Sequence, residues 1–441
     1  MKRFLFVTYH FPPSVGGGIP RILSFARDVS RYGWVASVLT STSHGAAAID
    51  SSALSSLPVG TQVSRAYCPL ARAGTRGHER VRSGWKGAAR QVVLGASRLA
   101  MVPEPLAPWI PFALDMGWRA LEGEPHGAVV ATYGPPANLI VGAALARLSG
   151  LPLLIDYRDL WTDLPFARHA TPVHSALLHA LERTIVRAAS AVTTVSEGMS
   201  RHIAERFGIA ADRVITIVNG FDEAALELVR DRRDTGKRPF TLCYSGSVYA
   251  MYDVGPFVRA LRRLADTGEI TPETFRFRTL GSFPTDVIAR EGLTAFHDRE
   301  GFLPRDAMFE RFADADAFVA IEGGDYGARM GYPVKVFDYL LTGKPILGIV
   351  VPGGNCARLL REMGMNELPE NREDAIAASL SRLLQTHGRV PAPVRVDLPP
   401  LSQFRRDHNA AALAGLLDQV AGSKIGRPIP VESRYGSKAR S

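Results

Sequence analysis

Three cysteines, Cys68, Cys243 and Cys356, are all that the 441 residues contain. Odd in number and far apart, they exclude a disulfide framework and supply no spaced Cys/His pairs for zinc. A reducing cytoplasm is therefore the expected compartment. Long apolar runs are also lacking. No stretch reaches the ~18 continuous apolar residues that a membrane span needs, and residues 92–118, the most apolar region, are interrupted by Arg98, Glu104 and Asp115. A secretion signal is not expected, because Phe4-Leu5-Phe6-Val7 is short and soon meets Pro12-Pro13. The 41 glycines and 30 prolines follow no triplet period, so they mark tight turns and not a fibre.

What is present is a globular composition, 46% hydrophobic and 22% charged. At about 150 residues per domain, this length implies two or three domains. The formal charge of +9 is concentrated. Residues 61–100 carry a net +7 and residues 421–441 a net +4, leaving the remainder at −2. No recognition helix, RNP-like strand or finger spacing accompanies them, so nucleic acid is not an expected partner. An anionic membrane surface or a phosphate-bearing substrate suits such patches better. Residues 80–102 mix Arg80, Arg82, Lys86, Arg90 and Arg98 with Trp85, Val92, Val93, Leu94, Leu99 and Met101. That mixture suits peripheral attachment to the inner membrane face. A helix packed on the first domain with an exposed basic face, and a tail that only aids solubility, are the plainer alternatives.

Short apolar strands alternate with amphipathic helices along the chain, the pattern of parallel sheets with crossover helices. Strands are expected at 4–8, 35–40, 128–132, 153–156, 191–195 and 214–218, with helices over 19–32 and from Ser196 to about 207. Pro20 suits a first helical turn and Gly33 a helix end. A charged, poorly periodic stretch at 223–239 reads as a linker. A second series follows, with strands at 240–244, 275–280, 317–321 and 345–351. Its helices are expected near 254–266, 305–313, 333–342 and 373–386. The expected organisation is a first Rossmann-like domain over 1–222, the linker, and a second domain over 240–400. A helix over 401–420 returns to the first domain, and a disordered basic tail covers 421–441. Two such α/β domains would face one another across a ligand-binding cleft.

Three clusters carry chemistry. The first strand ends in Thr8-Tyr9-His10-Phe11-Pro12-Pro13-Ser14-Val15-Gly16-Gly17-Gly18, and a helix bearing Arg21 follows. Glycines before a helix let backbone N–H groups approach an anion. The dinucleotide and P-loop fingerprints are both missing, and a plain turn is the alternative. Asp156-Tyr157-Arg158-Asp159-Leu160-Trp161 follows an apolar strand. Arg158 and Asp159 there could face substrate, or the carboxylates could cap a helix with Arg158 as ion-pair partner. In Gly331-Tyr332-Pro333-Val334-Lys335-Val336-Phe337-Asp338-Tyr339-Leu340-Leu341-Thr342-Gly343-Lys344-Pro345, Lys335 and Asp338 share a helix face. The carboxylate could accept from a ribose diol while the ammonium neutralises a phosphate; a surface ion pair worth ~0.3 kcal/mol is the alternative. Asp314-Ala315-Asp316 imitates an Asp-x-Asp metal site but stands at a helix–strand junction, so no metal is expected.

These clusters resemble those of the retaining glycosyltransferase family 4, in its bacterial polysaccharide branch. Ala131-Thr132-Tyr133-Gly134-Pro135-Pro136-Ala137-Asn138 resembles that branch's Ser/Pro-rich turn, and Asp156 to Trp161 its Asp-Phe-Arg-Asp-Pro-Trp. Val218-Asn219-Gly220-Phe221-Asp222 is similar to the family's domain-boundary turn, and Tyr244-Ser245-Gly246-Ser247 to its first strand and glycine turn of the second domain. Lys335 to Pro345 resembles Lys-Leu-Phe-Glu-Tyr-Leu-Ala-Ala-Gly-Lys-Pro. The match runs in order over about residues 3–420.

The resemblance implies an α/β protein of the GT-B fold that moves a sugar from a nucleotide-sugar to a glycan or lipid-linked acceptor. The nucleotide-sugar is a co-substrate, and no cofactor or metal is implied. Gly246, Ser247, Lys335 and Asp338 would bind donor, Arg158 and Asp159 would serve catalysis, and Gly17, Gly18 and Arg21 would form the acceptor or phosphate loop. Retention implies front-face attack, with the leaving phosphate taking the acceptor proton. Two positions depart from the family pattern. Met330 stands where the first of two glutamates falls, with Glu322 and Asp325 the nearby carboxylates, and Arg158 replaces a frequent histidine. An epimerase of the same fold and a non-catalytic nucleotide-sugar-binding protein are the alternative readings.

Overall fold

The structure is a computed structural model that describes residues 1–14, 18–42, 52–69, 104–164, 171–228, 238–248, 252–386, 401 and 403–422. The expected membrane segment 80–102 and all but the first two residues of the expected tail lie outside these. The chain divides into two compact units. One comprises Met1–Thr194, Ser200–Ile217 and Ala410–Ser441; the other comprises Val195–Met199 and Val218–Asn409.

The first unit is built on seven strands, β1 (Lys2–Val7), β2 (Trp34–Ser41), β3 (Gln62–Ala66), β4 (Ala128–Thr132), β5 (Leu153–Asp156), β6 (Ala191–Thr194) and β7 (Val214–Thr216). They pair in the order β3-β2-β1-β4-β5-β6-β7, all parallel. Central strands such as β2 and β4 are buried along their whole length. That explains why their sequences are apolar or small throughout and carry no charge, since both sheet faces carry helices. The helices are α1 (Ile19–Asp28), α2 (Ile110–Gly123), α3 (Ala137–Ser149), α4 (Pro172–Ala188) and, from Ser200 onward, α5 (Glu197–Phe207). Helix α1 stops short of the expected 32 because its last turn tightens into a 3-10 segment, Val29–Tyr32, closed by left-handed Gly33 (φ 83°). Ser196 caps α5 as expected, its Oγ accepting from Met199 N at 3.1 Å.

The second unit has five parallel strands, β8 (Phe240–Ser247), β9 (Phe275–Ser282), β10 (His297–Glu300), β11 (Ala317–Ile321) and β12 (Ile346–Ile349), in the order β10-β9-β8-β11-β12. Strand β11 shows how the core is made. Phe318 and Ala320 join one apolar cluster with Phe312, Phe337, Tyr339 and Leu340. Ala317, Val319 and Ile321 join the other, with Leu242, Tyr244, Phe257 and Phe277. Each large side chain so buried contributes about 1.5–3 kcal/mol. Strand β10, His297-Asp298-Arg299-Glu300, has no apolar alternation and escapes sequence reading; as an edge strand its charges discourage further pairing. The helices are α6 (Gly255–Asp266), α7 (Thr285–Arg290), α8 (Arg305–Ala313), α9 (Gly324–Met330), α10 (Val334–Leu341), α11 (Asn355–Glu362) and α12 (Glu373–Gln385). Residues Glu223–Leu228, expected in the linker, form a 3-10 segment whose Ala225 enters this unit's core.

Helix α13 (Arg406–Ala421) starts in the second unit, where Asn409 Nδ2 donates to Val218 O at 2.7 Å. It then packs Ala410, Leu413, Leu417 and Ala421 into the first unit's core with Phe4 and Trp34. In each sheet the strand order reverses beside the first strand, between β1 and β4 and between β8 and β11. Open α/β sheets take ligands beyond the strand carboxyl ends at such points.

Candidate active site

In the second unit, helix α10 turns Val336, Phe337, Tyr339 and Leu340 into the core. Tyr339 fastens it to β8, its hydroxyl oxygen accepting from Ser245 N at 2.8 Å. This docking places Lys335 Nζ 3.7 Å above the Tyr244 ring centroid. The ammonium also lies beside Gly246, where an added Cβ would stand 3.7 Å from Nζ. Gly246 has φ 93°, a left-handed conformation that favours glycine. Lys335 Nζ is buried and has no hydrogen-bond partner among the described residues. Burial pushes its pKa down to about 7.

Ser247 follows Gly246 at the end of β8, its carbonyl accepting from Tyr244 Oη at 3.0 Å. Asp338 is held by Arg305, Nη2 to Oδ1 at 2.9 Å, and Arg305 also stacks on Phe309. Thus Gly246, Ser247 and Lys335 gather at one strand end, while the Asp338 carboxylate has a cation of its own.

Glu322 directly follows β11, and the register pairing Ala317 with Leu242 carries Ile321 to the level of Gly246. Glu322 Oε2 accepts from Val351 N at 3.1 Å, whereas Oε1 is buried without a partner among the described residues. Burial raises this carboxyl to about 7. The side chain of Asp325 lies outside the described residues. Asp316 is bound through both oxygens to Arg238 and accepts from Thr241 N, so its contacts are those of a structural junction.

In the first unit, Gly17 lies outside the described residues and Gly18 precedes α1. Arg21, expected at the phosphate loop, turns inward instead. Its Nη2 meets Asp156 Oδ1 at 2.7 Å and its Nη1 donates to Ile217 O at 2.6 Å. Both side chains are buried, because the Asp156 carboxylate at the end of β5 needs a cation when removed from water. Thr132 and Thr193 also donate to it, and Arg21 holds its pKa below the usual carboxylate range against the opposing effect of burial.

Arg158 Nε and Nη2 donate to Tyr133 O at 3.1 and 2.8 Å, and Nη2 also to Gly134 O at 3.2 Å. Asp159 is exposed. Enough protein surrounds it that desolvation raises its pKa, against the lowering pull of Arg158. A buried carboxylate that sequence reading missed supports this loop from beneath. Glu182 on α4 accepts from Tyr157 Oη at 2.7 Å, from Thr162 N at 3.2 Å and from Thr162 Oγ1. Nothing in the sequence around Glu182 marks it; only the fold brings it under the loop.

Comparison with known proteins shows which fold carries these two strand-end sites. Residues 16–220 match the model of the glycosyl transferase 4-like domain. Sucrose-phosphate synthase from Thermosynechococcus elongatus superposes with TM-score 0.64 over 95% of this chain and 99% of that one, at 13% identity. The chain has the GT-B fold, and residues 16–220 are similar to a glycosyl transferase 4-like domain. A glycosyltransferase from Rickettsia africae gives TM-score 0.63 at 11% identity, covering 96% of this chain and 99% of that one. TarM of S. aureus, solved as its G117R mutant with fondaparinux, alpha-GlcNAc-glycerol and UDP, gives 0.60 at 8% identity, covering 95% and 100%. No curated protein sequence matches the chain.

Proposed function

We propose that this protein is a glycosyltransferase that takes a sugar from a nucleotide-sugar donor, with retention, and gives it to a glycan or lipid-linked acceptor in cell-surface polysaccharide synthesis. The observation that carries the reading is Lys335. A desolvated ammonium without a counter-charge is costly, and a bound diphosphate would supply the missing anion. Gly246 and Ser247 are the backbone beside which that diphosphate would lie. UDP in the TarM structure is the kind of ligand this arrangement suits. Asp338 would reach a ribose hydroxyl only by sharing its carboxylate with Arg305. Arg158 and Asp159 would line the acceptor side on the first unit. Arg158 stays protonated and is no general base, which agrees with a front-face mechanism in which the leaving phosphate accepts the acceptor proton.

Charge on the leaving diphosphate would be met by Lys335 and backbone dipoles, without a resident metal. Turnover is expected to survive excess chelator. Complete loss in EDTA, restored by magnesium or manganese, would contradict this. Incubation with UDP-, GDP- and ADP-sugars, with and without glycan acceptors, tests the whole reading. Acceptor-dependent release of nucleotide supports transfer. Epimerised sugar without acceptor would favour the epimerase, and binding without turnover the non-catalytic partner.

A further inference from the structure

Arg158 is anchored but not neutralised. Its three hydrogen bonds go to backbone carbonyls, which carry no net charge, and its Nη1 makes none among the described residues. Two glycines make room for the guanidinium. A Cβ at Gly18 would stand 1.4 Å from Nη1, and one at Gly134 2.9 Å from Nη2. The Nη1 edge therefore lies against the N-terminal end of α1, whose first turn holds no acidic residue.

Two carboxylates act on Arg158, Asp156 and Asp159. Asp156 is committed to Arg21. Asp159 is exposed and forms no ion pair with Arg158 among the described residues. Nearby His10 adds no charge at neutral pH, because desolvation and the Arg158 charge hold its pKa below the ordinary value although its ring reaches solvent. What remains is a fixed cation with one free N–H edge, beside a helix N-terminus, at the point where the first sheet reverses its strand order.

We infer that the first unit carries an anion site of its own, built on the free edge of Arg158, and that it takes a phosphate group of the acceptor. The word acceptor rests on the sugar-transfer reading above; the site does not. This would make the acceptor a phosphorylated sugar or a phosphate-linked lipid, not a neutral glycan.

Thermal-shift titrations of the full chain separate the two anion sites. Inorganic phosphate, and glucose 6-phosphate against glucose, are the probes for Arg158; UDP is the probe for Lys335. In the Lys335→Met background, phosphate and glucose 6-phosphate should still stabilise the protein and glucose should not. Adding Arg158→Gln should weaken both responses at least tenfold. Gly18→Ala, whose new methyl displaces Nη1, should do the same and serves if Arg158→Gln fails to fold. With Lys335 intact, both variants should keep the UDP response. Unchanged phosphate midpoints in both variants would overturn the site. A UDP response lost in Arg158→Gln but kept in Lys335→Met would put the donor phosphate at Arg158 and overturn the acceptor assignment. If UDP shifts nothing while phosphate still tracks Arg158, the site stands and the donor reading fails.

Discussion

At the scale of single residues, the most informative group is a lysine held where its charge is penalised. Replacing Lys335 by Met removes a desolvated, unpartnered ammonium at little change in volume, and should raise stability by about 1–3 kcal/mol. The same change should abolish nucleotide binding. Paired thermal unfolding and binding measurements check this, and a destabilised variant that still binds would contradict it. Glu322 gives a pH test. Its folded pKa is raised to about 7, so between the ordinary carboxyl value and 7 the folded state binds more protons than the unfolded one. Its contribution to stability therefore falls as pH rises through that window. Glu322→Gln should gain on the parent from pH 5 to pH 7.5, by about 2–3 kcal/mol in all. Denaturant unfolding at both pH values measures the gain, and a constant difference would mean that Glu322 is not raised.

At the scale of elements, the loop after β5 works because one carboxylate straps both its ends. Glu182→Ala leaves the Tyr157 hydroxyl and Thr162 without their acceptor, at about 1–3 kcal/mol. It should also cut turnover by loosening the Arg158 and Asp159 positions. Turnover unaffected at a temperature where the variant is folded would show the strap to be structural only. The elements themselves were largely legible. Apolar runs at 128–132, 153–156 and 317–321 coincide with β4, β5 and β11, and 305–313 coincides with α8. The three strands are buried on both faces, so composition alone marks them. Edge strands β3 and β10 were not legible, because a half-exposed edge needs no apolar pattern. The site was legible in part. Lys335 and Gly246 stand in recognisable motifs, and the fold brings them together. Arg21 misled because a basic residue near a glycine loop looks alike whether it faces substrate or an interior carboxylate. Glu182 and the Tyr244 ring under Lys335 owe their places to packing across elements, which no local sequence records.

At the scale of the whole molecule, the chain's last described helix completes the core of its first unit. Leu417 is fully buried among Phe4, Trp34 and their neighbours, so Leu417→Ala should cost about 2–5 kcal/mol. Unfolding of the first unit should then precede that of the second, and a wild-type melting profile would contradict the role given to α13. Binding of a nucleoside diphosphate by the second unit through Lys335 is tested most directly by isothermal titration calorimetry. UDP, GDP and ADP are titrated into parent and Lys335→Met at pH 6.5, 7.5 and 8.5. Because the free lysine titrates at about 7 and the anion requires it charged, binding should take up a proton, and affinity should fall about tenfold per pH unit above 7. Lys335→Met should not bind. Failure of all three nucleotides to bind the parent, or equal binding by Lys335→Met, would contradict the account.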